Sequence, residues 1–590
     1  MSNLVDQLSW KVGGQQGEGI ESTGEIFSIG LNRIGYYLYS YRHFSSRIKG
    51  GHTNNKVRVS TKKVLSVSDD LDILVAFDQE TIDLNYKELN DRGIILADSK
   101  VKPVKPIDSS AHFYAVPFSD IASELGTSLM KNMVAIGATC AVLDLDPDIF
   151  NDVIESIFKR KGASIVENNK KALIQGYEYM KNQLSDDLKI KLSEPDQKKR
   201  LYMIGNEAIG LGAIAGGARL MFAYPITPAS DIMEYLIKKL PQFGGAVIQT
   251  EDEIAACTMA IGANYGGVRA FTASAGPGLS LMMEAIGLSG MTETPLVIVD
   301  TQRGGPSTGL PTKQEQSDLL AMIYGTHGEI PKVVLAPSTV EEAFYDTVEA
   351  FNIAEEYQIP VIILTDLQLS LGKQTVEPFD LNKIEIRRGK LVKDEVDIPI
   401  KTKQYFKRYE LTEDGISSRP LPGVRGGIHH VTGVEHSETG NPVEAAPNRK
   451  LQMDKRLRKL NQFNIKTPYH YKETVNDELD VLLVGFNSTL GVIEEVYEML
   501  KKDSLSVGQL HLRLLHPFPS VQLQPVLSKA KQIIVIEQNA TGQLASLIKM
   551  NVGYSHKISN VLKYDGTPFM PNELYQSVLE ALNLHSKVKN

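Results

Sequence analysis

The 590-residue chain has two cysteines, Cys140 and Cys257, and a single tryptophan. Two thiols cannot build a disulfide framework, nor can they ligate a four-iron cluster, which normally takes four thiolates. A reducing cytoplasm suits them. The opening "MSNLVDQLSWKVGG" has no basic region followed by an apolar run, so no signal peptide is expected. The most apolar region, "LYMIGNEAIGLGAIAGGARLMFAYP", is broken by Asn206, Glu207 and Arg219 and falls short of a membrane span. Positive charge is not in excess either: 63 Lys and Arg stand against 71 Asp and Glu, a net charge of -8. Nothing in the bulk charge therefore points to nucleic acid or an anionic membrane. In "KVGGQQGEGIESTGEIF" the glycines Gly14, Gly17 and Gly19 run G-x-x-G-x-G rather than G-x-G-x-x-G, which argues against the usual nicotinamide or flavin site.

What is present is strand-helix alternation, enough of it for several domains. Residues 1–185 alternate runs such as "LDILVAF" and "GIILAD" with helical stretches, and 186–200 reads as a lysine-rich helix or linker. Over 201–372 the runs "MFAYP", "GAVIQT", "VRAFTAS", "PLVIVDT", "KVVLAPS" and "PVIILTD" alternate with small-residue helices. Mostly continuous apolar strands separated by helices predict a doubly wound parallel sheet, with ligand crevices beyond the carboxyl ends of its strands. The alternation fades over 373–475, where a passage rich in Pro, Gly and charge reads as a functional connection or interdomain wrap. It resumes over 476–590. The expected fold class is α/β, multidomain.

The loops after the strands of 201–372 carry the candidate chemistry. In "FAYPITPAS", Thr227 precedes Pro228 and is held out of the helical region, as an N-cap for the helix in "ASDIMEYLIKKL" or as a hydroxyl aimed at an anion. That helix shows one apolar face at Ile232, Met233, Leu236 and Ile237. "TEDEIAA" puts Glu251, Asp252 and Glu253 at a helix start, and helical spacing alone does not choose among them. One carboxyl in an apolar pocket would exchange a proton with a heteroaromatic nitrogen. "SAGPGLS" is a glycine-rich turn into a helix, which lets a ligand approach backbone amides. "QRGGPSTGLPT" sets Arg303 among small residues, available for bidentate carboxylate binding, with Thr308 and Thr312 beyond it. Nearer the start, Arg47, Lys49, His52, Lys56 and Arg58 form a basic cluster suited to a nucleotide phosphate, or a solvated face. His429, His430 and His436 have no metal-site spacing.

Taken in order, "YPITP", "QTEDEIAA", "GPG" and "QRGGPSTGLPT" resemble the thiamine-dependent 2-oxoacid:ferredoxin oxidoreductases. With "GGQQGEG" and "GGHTNNKVRVS" in front, and "RLLHPFPS" and "IEQNATGQL" behind, the chain resembles their fused gamma-alpha subunit, nearest to the 2-oxoglutarate type. The resemblance implies a gamma domain over 1–185, a pyrimidine-type thiamine diphosphate domain over 201–372 and a transketolase C-terminal-like domain over 476–590. It implies that Thr227, Arg303 and Thr312 bind the 2-oxoacid and that Glu253 contacts the aminopyrimidine. Tyr224, Pro225, Ile226, Gly276 and Gly278 would line the cofactor. Gly14, Gln15, Gly17, Arg47 and Lys49 would lie toward coenzyme A or an interface.

The family holds the diphosphate and Mg²⁺ through a GDG motif, and this sequence has none. No metal site is therefore expected in this chain, and the resemblance implies a beta subunit carrying Mg²⁺ and a [4Fe-4S] cluster, in an (alpha-beta)₂ assembly serving ferredoxin. The implied reaction is oxidative decarboxylation of 2-oxoglutarate to succinyl-CoA. Alternatives are pyruvate or a branched-chain 2-oxoacid as substrate, a noncatalytic scaffold, and a nicotinamide dehydrogenase, which the glycine order disfavours.

Overall fold

The computed structural model describes residues 3–44, 51–396, 405–475 and 478–583. Two compact units emerge. The first takes the chain up to Met203 with Leu371–Pro378 and Met570–Asn572, and the second takes Ile204–Ser370, Phe379–Phe569 and the chain from Glu573.

In the first unit an eight-stranded mixed sheet runs His112–Val116, Leu89–Asp98, Leu71–Ala76, Gln7–Gln15, His52–Ser60, Tyr37–His43, Lys373–Val376, Leu201–Ile204. Gln7–Gln15 is buried except at its ends, as expected of a central strand covered on both faces. Trp10, fully buried, stacks on Phe27 at 4.4 Å between ring centroids. Helices Lys131–Val142 and Ala163–Lys181 pack closely because Gly137 and Gly176 face carbonyls of the opposite helix, at Leu173 and Val134, where a Cβ would collide. Residues 186–200 are not a plain connector: Ile190–Leu192 pairs in parallel with Asn3–Val5. Lys373–Val376 likewise belongs to a sheet, antiparallel to Tyr37–His43, so the irregular passage begins only after it.

The second unit holds two sheets. Its larger one runs Ala246–Gln249, Leu220–Ala223, Ala270–Ser274, Leu296–Gln302, Pro360–Asp366, Val333–Leu335, Leu514–His516, parallel except for the last pair. All six expected strands are there. From Leu220–Ala223 the chain first moves to one side, to Ala246–Gln249, and then to the other, to Ala270–Ser274. The topological switch point, where open α/β sheets form their ligand crevice, therefore lies between the strands leading to YPITP and to GPG. The smaller sheet runs Tyr469–Glu473, Val507–Leu512, Leu479–Phe486, Ala530–Glu537, Ile558–Leu562, with the first strand antiparallel.

Among the described residues from Phe379 to Val475 regular elements are few, and they include a helix at Ala446–Arg458. Buried charges fasten it. Glu293, at the carboxyl end of helix Gly276–Thr292, meets Lys455 at 2.7 Å and Lys459 at 2.7 Å, all three without solvent exposure. Glu355 meets Arg419 at 3.1 Å, Arg388, and Arg269 at 3.0 Å, next to the strand Ala270–Ser274. Both clamps grip elements that carry the GPG turn.

Candidate functional site

The helix after YPITP begins at Ser230, with Ala229 as an N-cap that makes no side-chain bond. This corrects the capping expectation: the Ser230 amide, at 2.9 Å, and its hydroxyl, at 3.1 Å, both donate to the Ile226 carbonyl, so Thr227 lies outside the helix and its hydroxyl is not spent as a cap. Ile232, Met233 and Leu236 are buried as expected, whereas Ile237 is half exposed and Leu240 takes its place in the core. The Thr227–Pro228 peptide is cis. Asn206, fully buried, donates to the Pro228 carbonyl at 2.8 Å and holds the turn from behind.

Geometry separates the three acids that periodicity could not. Glu251 is exposed. Asp252 caps helix Glu253–Tyr265, accepting from the Ala255 amide at 2.7 Å. Glu253 alone turns inward and is buried. Its carboxyl lies across the turn that opens helix Gly276–Thr292, where a Cβ on Gly278 would fall 2.6 Å from Oε1 and closer still to Ser274 Oγ. Only glycine leaves that space. Ser274 Oγ is buried and has no hydrogen-bond partner, an acceptor and donor aimed at the same space.

Arg303 follows the strand Leu296–Gln302 and is almost fully buried. Its Nη1 donates to the Thr227 carbonyl at 2.6 Å, tying the two loops together, while Nε is buried with no partner. Burial lowers the guanidinium's pKa, and the nearby Asp318 carboxyl opposes the shift. The loop then folds back: Gly304 N donates to Lys313 O at 3.0 Å and Leu310 N to Gly304 O at 2.8 Å, which brings the residues on either side of Thr312 back toward the residue after Arg303. Tyr224 and Pro225 are exposed, Ile226, Thr227, Thr312 and Gly276 half-buried, and Gly278 buried.

Sequence reasoning missed the carboxyls beneath this site. Asp300, cross-strand partner of Ser274, is fully buried and neither oxygen has a partner. Burial, then the charge of Asp318, pushes it well above the usual carboxylate range. Asp318, whose amide donates to Gln302 Oε1 at 3.0 Å, is pushed up to about 6 by burial and Glu315, against the pull of Arg303. The signal was available: Asp300 is a lone carboxylate directly after the apolar run Leu296–Val299, and Ser274 is the last residue of its strand.

In the first unit, Gly14 is buried, Gln15 is exposed with its amide donating to Glu18 at 2.9 Å, and Gly17, at φ 100°, has open space around it. Arg47 and Lys49 lie outside the described residues. Lys56 and Arg58 do not face a phosphate: both are buried, Lys56 on Glu88 at 2.9 Å and the Ser68 carbonyl at 2.7 Å, Arg58 on Gln7 at 2.9 Å. Alternation on a buried strand turns these side chains inward.

Three family models match the chain. They are pyruvate ferredoxin/flavodoxin oxidoreductase over residues 9–179, pyruvate flavodoxin/ferredoxin oxidoreductase, thiamine diphosphate-binding, over 211–455, and pyruvate:ferredoxin oxidoreductase core domain II over 479–574. The 2-oxoacid:ferredoxin oxidoreductase subunit alpha of a Sulfolobus species is 34% identical, covering 98% of this chain and 97% of its own. The 2-oxoglutarate oxidoreductase subunit KorA of Mycobacterium tuberculosis is 29% identical, over 98% of this chain and 92% of its own. A solved 2-oxoglutarate:ferredoxin oxidoreductase from Magnetococcus marinus, with 2-oxoglutarate, coenzyme A and succinyl-CoA bound, superposes with a TM-score of 0.90 at 34% identity, covering 98% of this chain and 100% of that one. With its order of loops, its inward glutamate and these relatives, the chain belongs to the 2-oxoacid:ferredoxin oxidoreductase family, as a subunit of the alpha type.

Proposed function

We propose that this chain binds the keto acid and the pyrimidine side of thiamine diphosphate in an oxidoreductase that converts 2-oxoglutarate and coenzyme A to succinyl-CoA and CO₂, passing two electrons singly to ferredoxin. The observation that carries the reading is the buried Glu253 carboxyl laid over Gly278 at the switch point, together with Arg303, whose Nη1 is tied to the Thr227 carbonyl and whose Nε has no partner. An unpartnered Ser274 hydroxyl and a cradle that a Cβ would fill fit a flat heteroaromatic ring. When bound, the cofactor supplies the electron sink that lets a 2-oxoacid lose CO₂.

The chain's own residues do the rest. Glu253 holds and exchanges the proton of a pyrimidine nitrogen. Tyr224, Pro225 and Ile226 on one side, and Gly276 and Gly278 on the other, wall the ring. Thr227 and Thr312 hydroxyls and the Arg303 guanidinium receive the substrate carboxylate, each charge-assisted contact contributing about 1.5 to 3 kcal/mol. Coenzyme A is assigned to the first unit, near Gly14, Gln15, Gly17, Arg47 and Lys49.

A partner subunit completes the site in this reading. Cys140 and Cys257 are fully buried, and burial pushes the Cys257 thiol up to about 12, so neither suits a cluster. With no GDG run in the sequence, the diphosphate, Mg²⁺ and the [4Fe-4S] cluster belong to a beta subunit, in an (alpha-beta)₂ assembly. Half-exposed Ile254, Met259 and Leu281, on the two helices that open at Glu253 and GPG, give that subunit an apolar surface to cover. Among the described residues no helix is long and apolar enough to cross a membrane, and a cytoplasmic enzyme is proposed.

Co-purification with a beta subunit, then viologen reduction with a panel of 2-oxoglutarate, pyruvate and branched-chain 2-oxoacids, tests the assignment. Glu253→Gln is expected to lower turnover by about 10²-fold or more, the usual weight of a general acid-base group. An undiminished rate would leave the chain a scaffold.

A further inference from the structure

The smaller sheet of the second unit has a switch point of its own. From Leu479–Phe486 the chain goes first to Val507–Leu512 on one side and later to Ala530–Glu537 on the other, so a ligand crevice belongs beyond the carboxyl ends of Leu479–Phe486 and Ala530–Glu537. That crevice is filled from within the chain. Gln316, on the loop that follows Arg303 and Thr312, is fully buried there. Its Nε2 donates to the Phe486 carbonyl at 3.1 Å and to Asp366 at 2.8 Å, and its Oε1 accepts from the Gln538 amide at 3.0 Å. Its backbone amide donates to the Gln538 carbonyl at 2.6 Å, and its carbonyl accepts from Asn539 at 3.1 Å. Every polar atom of the residue is used.

The N-terminus of helix Gln543–Asn551, which follows the strand Ala530–Glu537, is also closed. In a nucleotide-binding sheet, free amides at this position would receive a phosphate. Here the buried Glu537 carboxylate accepts from the Leu544 amide at 2.8 Å and the Ala545 amide at 3.0 Å. Flanking contacts extend the seal: Gln314 Nε2 donates to Gln538 Oε1 at 2.9 Å, and Gln543 reaches the Ser317 carbonyl at 2.6 Å while accepting from the Leu320 amide at 3.0 Å.

We infer that the switch-point crevice of the C-terminal sheet is a receptor for the chain's own substrate loop, with Gln316 as its built-in ligand, and that this sheet positions Arg303 and Thr312 for the 2-oxoacid. The inference rests on the proposed function for the identity of the substrate. It makes Gln316, Gln538 and Gln543 positioning residues that touch neither substrate nor cofactor. The loop is pinned at Arg303 by the large sheet and at Gln314–Ser317 by the small one, and loosening the second pin spreads the donors over many arrangements.

The test uses Gln316→Leu and the milder Gln543→Ala in the complex with the beta subunit. Amide hydrogen exchange over residues 304–313 of the full-length chain should accelerate at least about 10-fold in Gln316→Leu. KM for 2-oxoglutarate and pyruvate should rise by a similar factor, about 10-fold, with kcat at saturation held within about threefold, since the chemical step is untouched. Gln543→Ala should move both readouts the same way by less. A fall in kcat at constant KM, or unchanged exchange and KM in both variants, overturns the inference. A wild-type complex that turns over no 2-oxoacid overturns the proposed function instead, and a separate control reads that outcome.

Discussion

Gly278→Ala places one methyl group where the structure has no room for it. The new Cβ would lie 2.6 Å from Glu253 Oε1 and 2.7 Å from Glu253 Cγ, against 3.4 Å for an ordinary contact, so the glutamate must retreat by about 0.8 Å. Ser274 Oγ is nearer still, and Ser274 sits on a strand hydrogen-bonded on both sides, so the displacement falls mainly on the Glu253 side chain. Overpacking of this kind costs about 1 to 3 kcal/mol of stability, which a large folded chain survives. A misplacement near 1 Å at a reacting group costs about 10²-fold in rate. The expected result is a folded, beta-subunit-binding protein whose 2-oxoacid-dependent viologen reduction is down about 10²-fold. Circular dichroism and thermal unfolding verify the fold, and steady-state kinetics on the complex reads the rate. Adding Ser274→Ala removes the tightest contact and should restore part of the loss. Wild-type turnover by Gly278→Ala would refute the claim that this turn fixes the glutamate.

Two further outcomes follow from buried charge. Glu293→Ala leaves Lys455 and Lys459 buried with their carboxylate gone, and should destabilise the chain by about 3 to 5 kcal/mol in denaturant unfolding; replacing both lysines with methionine in the same variant should recover most of it. Asp318, pushed up to about 6, holds a proton in the folded chain that the unfolded chain has already lost above about pH 4. The native state then binds more protons than the unfolded one between about pH 4 and 6, so this group's contribution to stability falls as pH rises through that window. Asp318→Asn lacks the titration, and its stability relative to wild type should improve by on the order of 1 to 3 kcal/mol between pH 4 and pH 7. A constant difference between the two proteins would contradict a raised pKa.

Strands were legible in the sequence because continuous apolar runs such as "PLVIVD" and "PVIILTD" have no other stable use than a sheet covered on both faces. The order of loops followed from them, and with it the neighbourhood of YPITP, GPG and Arg303. The choice among Glu251, Asp252 and Glu253 was not legible, since one turn of helix offers each acid an equivalent pattern and only packing against Gly278 separates them. The sequence leaves Thr227 open between cap and anion donor for a related reason: capping chemistry and a prolyl turn use the same residues, and the Ile226 carbonyl decides against the cap. Lys56 and Arg58 read as surface charge because a strand flanked by glycine and asparagine looks exposed, while Glu88, 32 residues from Lys56, supplies the buried partner. Long-range partners leave no local trace. The helix Ala446–Arg458 was missed because its lysines and arginines hide its buried face, Gln452, Lys455 and Arg456.

Lys373–Val376 closes against Tyr37–His43 across about 330 residues of intervening chain, and Leu201–Ile204 docks beyond it. During synthesis the amino-terminal sheet therefore presents a bare row of amides and carbonyls at Tyr37–His43 until residue 376 has left the ribosome. At ordinary elongation speeds of about 5 to 20 residues per second that wait lasts roughly 15 to 70 seconds. For that interval the nascent chain carries an open pairing edge, and a fragment ending near residue 203 keeps it for good.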